Sequence, residues 1–519
     1  MRRTRLMALA ALALVPVTIW TTTASASAAT GTLTVTTYDR TGAKVTTALR
    51  VTKIDTNATY EATSGRAKSL PTGTYAVTAD IWTEQDGSDT LGARVLKVSG
   101  STATTIDARW GTPLKVTFDR PLSADYSQEL TARICADDTY SGRTEAWNGA
   151  GKIFVIPNGS KHLRYAYAST WRAADTYVVS GGTSSTVPTP AHSFKRSALG
   201  SLTAWVKRGP SLGNDVGVAM RVAHSDSCRE GIGGGVQQAA PPFTTKVFGS
   251  AGTWSAEATV WASSEVVGTF DRKITLAAGK PVTQTFLRSS WGPAERTPHV
   301  LYGYLRHSVD SMFIDPGFGW SGANGSEAAD KSYVTLSSGG RVLKSQSRTT
   351  WGSLDTAEFE YKLPRKGWYL LKVSSQRYRP GVTQPADLLS NKTGVWFSFY
   401  ANPASNTQPG LILPRLSPSG LDMNNKAKVG STTTVDIPLE QQRQSPDSTY
   451  ATATAKTVTA TASFDNGATW KSVPVKKVDG TWKASVVNVK TGFVGLKALV
   501  QTTAGYKTEV VVYRAYRVG

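Results

Sequence analysis

The chain has 519 residues, 40% hydrophobic and 18% charged, with a formal charge of +21. This composition excludes a disordered or collagen-like chain and leaves room for roughly three to five domains. Only two cysteines exclude a disulfide-dense miniature scaffold, and 58 basic against 37 acidic residues predict adherence to polyanions such as teichoic acids, acidic polysaccharides, nucleic acid or anionic lipid. The basic residues are scattered with no long run, so solubility charge without a dedicated partner stays open beside that reading.

Residues 1–29 read as a cleaved signal peptide. Arg2, Arg3 and Arg5 precede an apolar run from Leu6 to Trp20, interrupted by Pro16, and Ala26-Ser27-Ala28 offers a cleavage site. The run is short for a membrane span, and no later segment is apolar over 18 residues, so no membrane span is expected. A retained N-terminal anchor is the alternative. Cleavage removes three arginines, lowers the charge from +21 to +18 and leaves a secreted, extracellular chain.

The rest reads as β. Residues 30–112 form a first β-sandwich: Thr32 to Thr37 alternate into the turn Asp39-Arg40-Thr41-Gly42, and Leu70-Pro71-Thr72-Gly73 turns into a strand. Period two puts Tyr75, Val77, Ala79 and Ile81 on one face of that strand, and Thr78, Asp80 and Trp82 on the other. Residues 113–242 form a second module that holds Cys135 and Cys228. A lone pair in an oxidising compartment is most simply one disulfide, with two buried thiols as the alternative. Two cysteines with His224 nearby do not supply the four ligands of a structural zinc site.

Residues 243–297 repeat strands of the first module and pack with the second. The copies match at Gly-Thr-aromatic from Gly73 and Gly252, at Ile81-Trp82 and Val260-Trp261, and at Trp110-Gly111 and Trp291-Gly292. Trp82 and Trp261 are therefore paired candidates for stacking on a sugar or a partner, unless a neighbouring module covers them. Residues 298–403 form a third module with a weaker echo at Lys366-Gly367-Trp368-Tyr369, followed by Leu371 and Val373. Asn402 to Gly410 reads as a linker, and 404–519 as an Ig-like or fibronectin-III-like C-terminal module. The fold class is all-β: tandem β-sandwich modules, prealbumin-like or Ig-like, after the signal peptide.

Ser463 to Trp470 fit the Asp-box pattern S-x-D-x-G-x-T-W. In such a turn Asp465 accepts backbone hydrogen bonds, Gly467 takes a positive φ and Trp470 packs beneath. One copy implies a structural turn, because a propeller needs repeated blades. None of the five histidines is followed by glycine, and no G-x-S-x-G or H-E-x-x-H stretch occurs, so no catalytic residue is assigned. Gly181-Gly182-Thr183-Ser184-Ser185 reads as a loop. Asp137, Asp138, Glu145 and Asp315 match no calcium-loop spacing and read as solvated loop carboxylates, so no metal is assigned.

Leu70 to Pro121 and the final stretch from Thr459 to Gly519 are similar to accessory β-regions of large secreted actinobacterial subtilisin-like serine proteases. The shared features are the Gly-Thr-Tyr hairpin, the Asp107-Ala108-Arg109 strand end and the C-terminal strands around Ser463 to Trp470. As a whole the chain resembles secreted Streptomyces-type proteins that lack a protease domain. The resemblance implies a β-sandwich scaffold and carries no catalytic residue, because fold alone does not fix function. The expected function is a secreted, non-enzymatic protein without cofactor, binding an anionic cell-wall polymer, a polysaccharide or another secreted protein, with no specific nucleic acid. The alternatives are a carbohydrate-binding protein that uses exposed tryptophans, and an accessory subunit or spacer related to secreted proteases.

Overall fold

The computed structural model describes residues 29–136, 141–210, 213–262, 264–294, 296–309, 312–318, 323–324, 330–349, 358–377, 384–405, 408–441 and 453–519. The signal-peptide reading, Asp137 and Asp138 lie outside the described residues. Those described are all-β: strands with two single-turn 3-10 segments, Ala108–Trp110 and Arg196–Ala198.

The first unit is a sandwich of seven main strands, with the two-residue Lys44–Val45 added at the edge of Thr30–Tyr38. One sheet orders Thr59–Thr63, Ala48–Lys53, Gly73–Thr83 and Ser88–Val98. The other centres on Thr30–Tyr38, flanked by antiparallel Ala67–Pro71 and parallel Ser101–Asp107. Alternation sets the faces: Leu33, Val35, Leu49, Val51, Tyr75, Val77, Ala79 and Ile81 all point into one core.

This plan recurs. The second unit uses Lys115–Phe118, Ser127–Ala136, Arg143–Gly149, Ile153–Val155, Leu163–Arg172, Thr176–Thr183 and Ala191–Phe194. The third uses Gly200–Val206, Asp215–Val222, Gly233–Ala239, Phe243–Gly249, Gly252–Ala262, Glu265–Leu276 and Pro281–Phe286. In both, the seventh strand again runs parallel to the first. The fourth uses Tyr304–Ser308, Asp330–Ser338, Arg341–Thr349, Glu358–Lys362, Gly367–Arg377 and Lys392–Ala401, with antiparallel His299–Leu301 in the seventh strand's place. The expected ranges 113–242 and 243–297 therefore divide differently: the first holds the second unit and three strands of the third, and the other completes the third. Three units share a latch on the fifth strand. The hydroxyl of Tyr75 donates to the Pro71 carbonyl, the indole N–H of Trp254 to Ser250, and the hydroxyl of Tyr369 to Arg365, each four residues back.

Successive units join through their sheets. Ser88–Val98 pairs in parallel with Ile153–Val155 of the second unit, and Thr176–Thr183 with Phe243–Gly249 of the third. Each junction hydrogen-bonds an edge that would otherwise template aggregation. Outer faces are buried too: Ala76, Leu91 and Ala93 of the first unit enter the second unit's core, and Cys135, Ala166, Ala168 and Val178 of the second enter the third's. Gly181 and Gly182, expected in a loop, end the strand Thr176–Thr183. A Cβ at Gly182 would stand 2.4 Å from the Tyr165 carbonyl oxygen, so the close strand pairing requires glycine there.

At the other end Lys392–Ala401 pairs with Lys507–Val518, Lys392 opposite Tyr513, and makes one nine-stranded sheet of the fourth unit and the C-terminal sandwich. The C-terminal core lies between that sheet's Leu496, Ala498, Val510 and Val512 and Val435, Ile437, Ala484 and Val486 of the facing sheet. The stretch expected as a linker is buried from Gln408 onward. Beyond it Arg415, 2% exposed, donates to the carbonyls of Ile314, Asp315 and Phe318 and pairs with Glu440 at 3.0 Å. A buried guanidinium is retained only when its donors are met, and these acceptors meet them.

Candidate functional site

Cys135 lies on the outer face of the second unit, and Cys228 in the loop between Asp215–Val222 and Gly233–Ala239 of the third; they form a disulfide with an S–S distance of 2.05 Å. Arg133 beside it donates to the carbonyls of Cys228 and Glu230 and pairs with Glu145 at 2.8 Å. Glu145 is therefore an ion-pair partner, and Asp315 is fully buried, accepting the N–H groups of Arg288 at 2.8 Å and Gly317 at 2.7 Å. Asp315 is therefore not a solvated loop carboxylate, whereas Glu145 stays exposed on a strand, opposite Arg133 of the adjacent strand. Burial pushes the Asp315 carboxyl up against the opposing pull of Arg288. Among the described residues no group of three His, Cys, Asp or Glu side chains is placed to hold a metal ion.

The turn at Ser463 to Trp470 is held by Asp465. Its carboxylate accepts from the Ser463 hydroxyl at 2.7 Å, the Thr469 N–H at 2.9 Å and the Thr469 hydroxyl at 2.5 Å, and these bonds hold its pKa well below the usual range. Gly467 has φ 89°, and the Trp470 indole donates to its carbonyl at 3.1 Å. The carboxylate is occupied by donors of its own turn, one backbone N–H and two hydroxyls, which makes this a structural turn.

Trp82 is 48% exposed, with its indole N–H given to Glu84 at 2.8 Å. Trp261 is half-buried, its ring over Gly217, where a Cβ would stand 2.5 Å from it. The two stand on the corresponding fifth strands of the first and third units. On the face shared with Trp82, Asp80 lines a cleft of about 810 Å³ between the hairpin of Ala48–Lys53 and Thr59–Thr63 and the strand Arg143–Gly149. Arg50, Glu61, Arg143 and Glu145 line it too. One Asp80 carboxylate oxygen is buried without a partner, and burial, with Asp89 nearby, pushes its pKa up to about 7.

A larger surface was not legible in the sequence. The outer face of the nine-stranded sheet carries Trp368 opposite Tyr400, Lys372 opposite Trp396, Trp396 opposite Glu509 and Lys392 opposite Tyr513. Trp368, Trp396 and Tyr400 are 49%, 37% and 38% exposed. Lys372 and Lys497 lie 5.3 and 5.5 Å from the Trp396 ring, Lys497 lies 4.7 Å from Trp470, and Lys392 lies 5.3 Å from Tyr513. Trp368 meets Tyr400 and Tyr506 edge-on. Cations and rings thus alternate across four strands. Alternation within Gly367–Arg377 and Lys392–Ala401 hinted at an open face, but only the join between two sandwiches assembles it.

The histidines divide between packing and turns. His192 stacks on Tyr167 at 3.8 Å, His224 accepts the Asp226 N–H at 2.9 Å, and fully buried His307 meets Phe397 edge-on. Burial lowers the His307 pKa to about 3.

No protein-family model and no curated protein matches the sequence. Among solved structures, the native E. coli alpha-2-macroglobulin aligns with 95% of this chain and 40% of its own, at 10% identity and a TM-score of 0.16. The methylamine-reacted Salmonella alpha-2-macroglobulin aligns with 91% and 37%, at 10% identity and 0.15. Sidekick-1 immunoglobulin domains 1–4 align with 79% and 97%, at 9% identity and 0.12. The chain spans about two fifths of the macroglobulins it matches. Scores this low define no common superposition, and the tandem sandwiches stand on the sheets described above.

Proposed function

We propose that the chain is an exported, non-catalytic binding protein whose joined sandwiches form a rigid scaffold that attaches to an anionic polymer of the cell wall or matrix. The observation that carries this reading is the charge surplus. Basic residues outnumber acids 58 to 37 in the full sequence, and removal of Arg2, Arg3 and Arg5 with the signal peptide lowers the surplus from 21 to 18 cations with no carboxylate in the chain to neutralise them. Many acids are already paired, as in Arg172–Glu129 at 2.7 Å, Arg221–Glu257 at 3.1 Å and Arg306–Glu360 at 2.7 Å. The surplus draws its counter-ions from outside, and a polyanion supplies them together. The disulfide fits an oxidising compartment, and the likeness of both ends of the chain to accessory regions of secreted proteases fits an exported scaffold. No helix among the described residues is long and apolar enough to cross a membrane.

A pull-down on purified Gram-positive wall tests the reading. Binding should fall steeply with salt, because screening shortens from about 10 Å at 0.1 M to about 3 Å at 1 M. A neutral-sugar reading is favoured by half-exposed Trp82, on the same strand face as Asp80, which lines the 810 Å³ cleft. It requires binding that survives salt and disappears in Trp82→Ala/Trp261→Ala. No binding to any wall fraction would sink both and leave a spacer.

A further inference from the structure

We propose that the outer face of the nine-stranded sheet binds a carboxylated, uronate-bearing polysaccharide, with sugar rings on Trp368, Trp396 and Tyr400 and carboxylates on Lys372, Lys392 and Lys507. This rests on the polyanion reading and gives it a place and a ligand class.

Three observations carry it. Large aromatic side chains on a sheet face are normally covered, yet Trp368 and Trp396 are 49% and 37% exposed on a face that no described segment covers. Their rings offer the flat apolar surface on which the C–H face of a sugar stacks. Second, the charge complements an anion. Lys372, Lys392 and Lys507 are exposed among these rings, and the nearby acid Glu509 is held by Lys497 at 3.4 Å. Third, the face is long and rich in hydroxyls. Tyr400, Trp396 and Lys392 succeed one another every four residues along one strand, a span of about 26 Å at 3.3 Å per residue, which suits a polymer and not a single sugar. Thr335 stands opposite Lys372 on one flank, and exposed Thr459 stands opposite Leu499 on the other, matching a hydroxyl-bearing ligand. The cations here are compact lysines and not the planar arginine forks that grip phosphate in pairs, which favours a carboxylated sugar over a nucleic acid.

The test is binding of the full chain to alginate as the polyuronate, dextran as the neutral polymer, inorganic polyphosphate as bare charge and poly-dT as the nucleic acid. Alginate should be bound at 0.1 M salt and dextran not. Trp368→Ala/Trp396→Ala should weaken alginate binding about tenfold or more, the scale of a buried aromatic anchor, and leave polyphosphate binding unchanged. The Trp→Phe pair should retain most of the affinity, and Lys372→Gln/Lys392→Gln should lower it, with thermal melting of every variant confirming the fold. Alginate binding indifferent to these variants would overturn the site while the polyanion reading stands. Tighter, tryptophan-dependent binding of poly-dT would overturn the polysaccharide in favour of nucleic acid. No binding to any anionic polymer would overturn both readings.

Discussion

Thr131 and Ala168 stand opposite each other on the outer face of the second unit's sheet, and Thr335 and Lys372 stand in the corresponding register in the fourth. In the second unit Ala166, Ala168, Cys135 and Val178 are buried by the third unit, and the disulfide crosses that interface. In the fourth unit the same surface faces outward and carries Trp368, Lys372, Trp396 and Tyr400. One topology thus serves as glue between units and as an open display. The difference is in the side chains: small residues let the next layer approach, and long charged or aromatic ones hold it off.

The buried face gives the largest expected effects. Removing the staple with Cys135→Ala/Cys228→Ala frees a loop of 93 residues, and the chain-entropy model sets the loss at about 4 to 5 kcal/mol. Denaturant unfolding should show the second and third units weakened together. Installing the fourth unit's residue by Ala168→Lys buries an unpaired ammonium where Ala168 is 1% exposed, and should cost about 3 to 5 kcal/mol. A cost under about 1 kcal/mol would mean that the face is not packed shut.

The first unit's outer face is intermediate, because it is buried at Thr78 and opens into the cleft at Asp80. With its folded pKa raised to about 7 from 3.8, Asp80 keeps a proton in the folded chain that the unfolded chain has lost. Stability should therefore fall as pH rises from about 4 to 7 and level off above. Asp80→Asn should gain about 2 kcal/mol at pH 8, a figure discounted for partial solvent access, and nothing at pH 4. Equal effects at both pH values would refute the buried-carboxyl account.

The smallest effect belongs to the open face. Trp396→Ala and Lys372→Ala should each change stability by no more than about 0.5 kcal/mol, as expected for exposed positions, while acting on alginate binding. A loss of about 3 kcal/mol for Trp396→Ala would place that ring in a core and close the comparison.

Much of the architecture was legible because its signals are local. Tyr75, Val77, Ala79 and Ile81 face one core because successive strand residues alternate, and the Gly-Thr-aromatic repeat marks the latch whose donor reaches back only four residues. Asp465 closes its turn with groups within four positions. The cysteine pair followed from there being no other cysteine. The remaining features depend on partners far along the chain. The parallel pairing of Ile153 opposite Asp89 is made by backbone groups and leaves no side-chain signature. Trp82 and Trp261 occupy matching places in the repeat, yet one ring is half exposed and the other lies over Gly217, because different layers meet them. Asp80 titrates near neutrality because strands from the next unit remove its water. The lysine and aromatic face is assembled from Lys372, Trp396, Lys497 and Tyr513, on four strands of two sandwiches, and no window of sequence contains it.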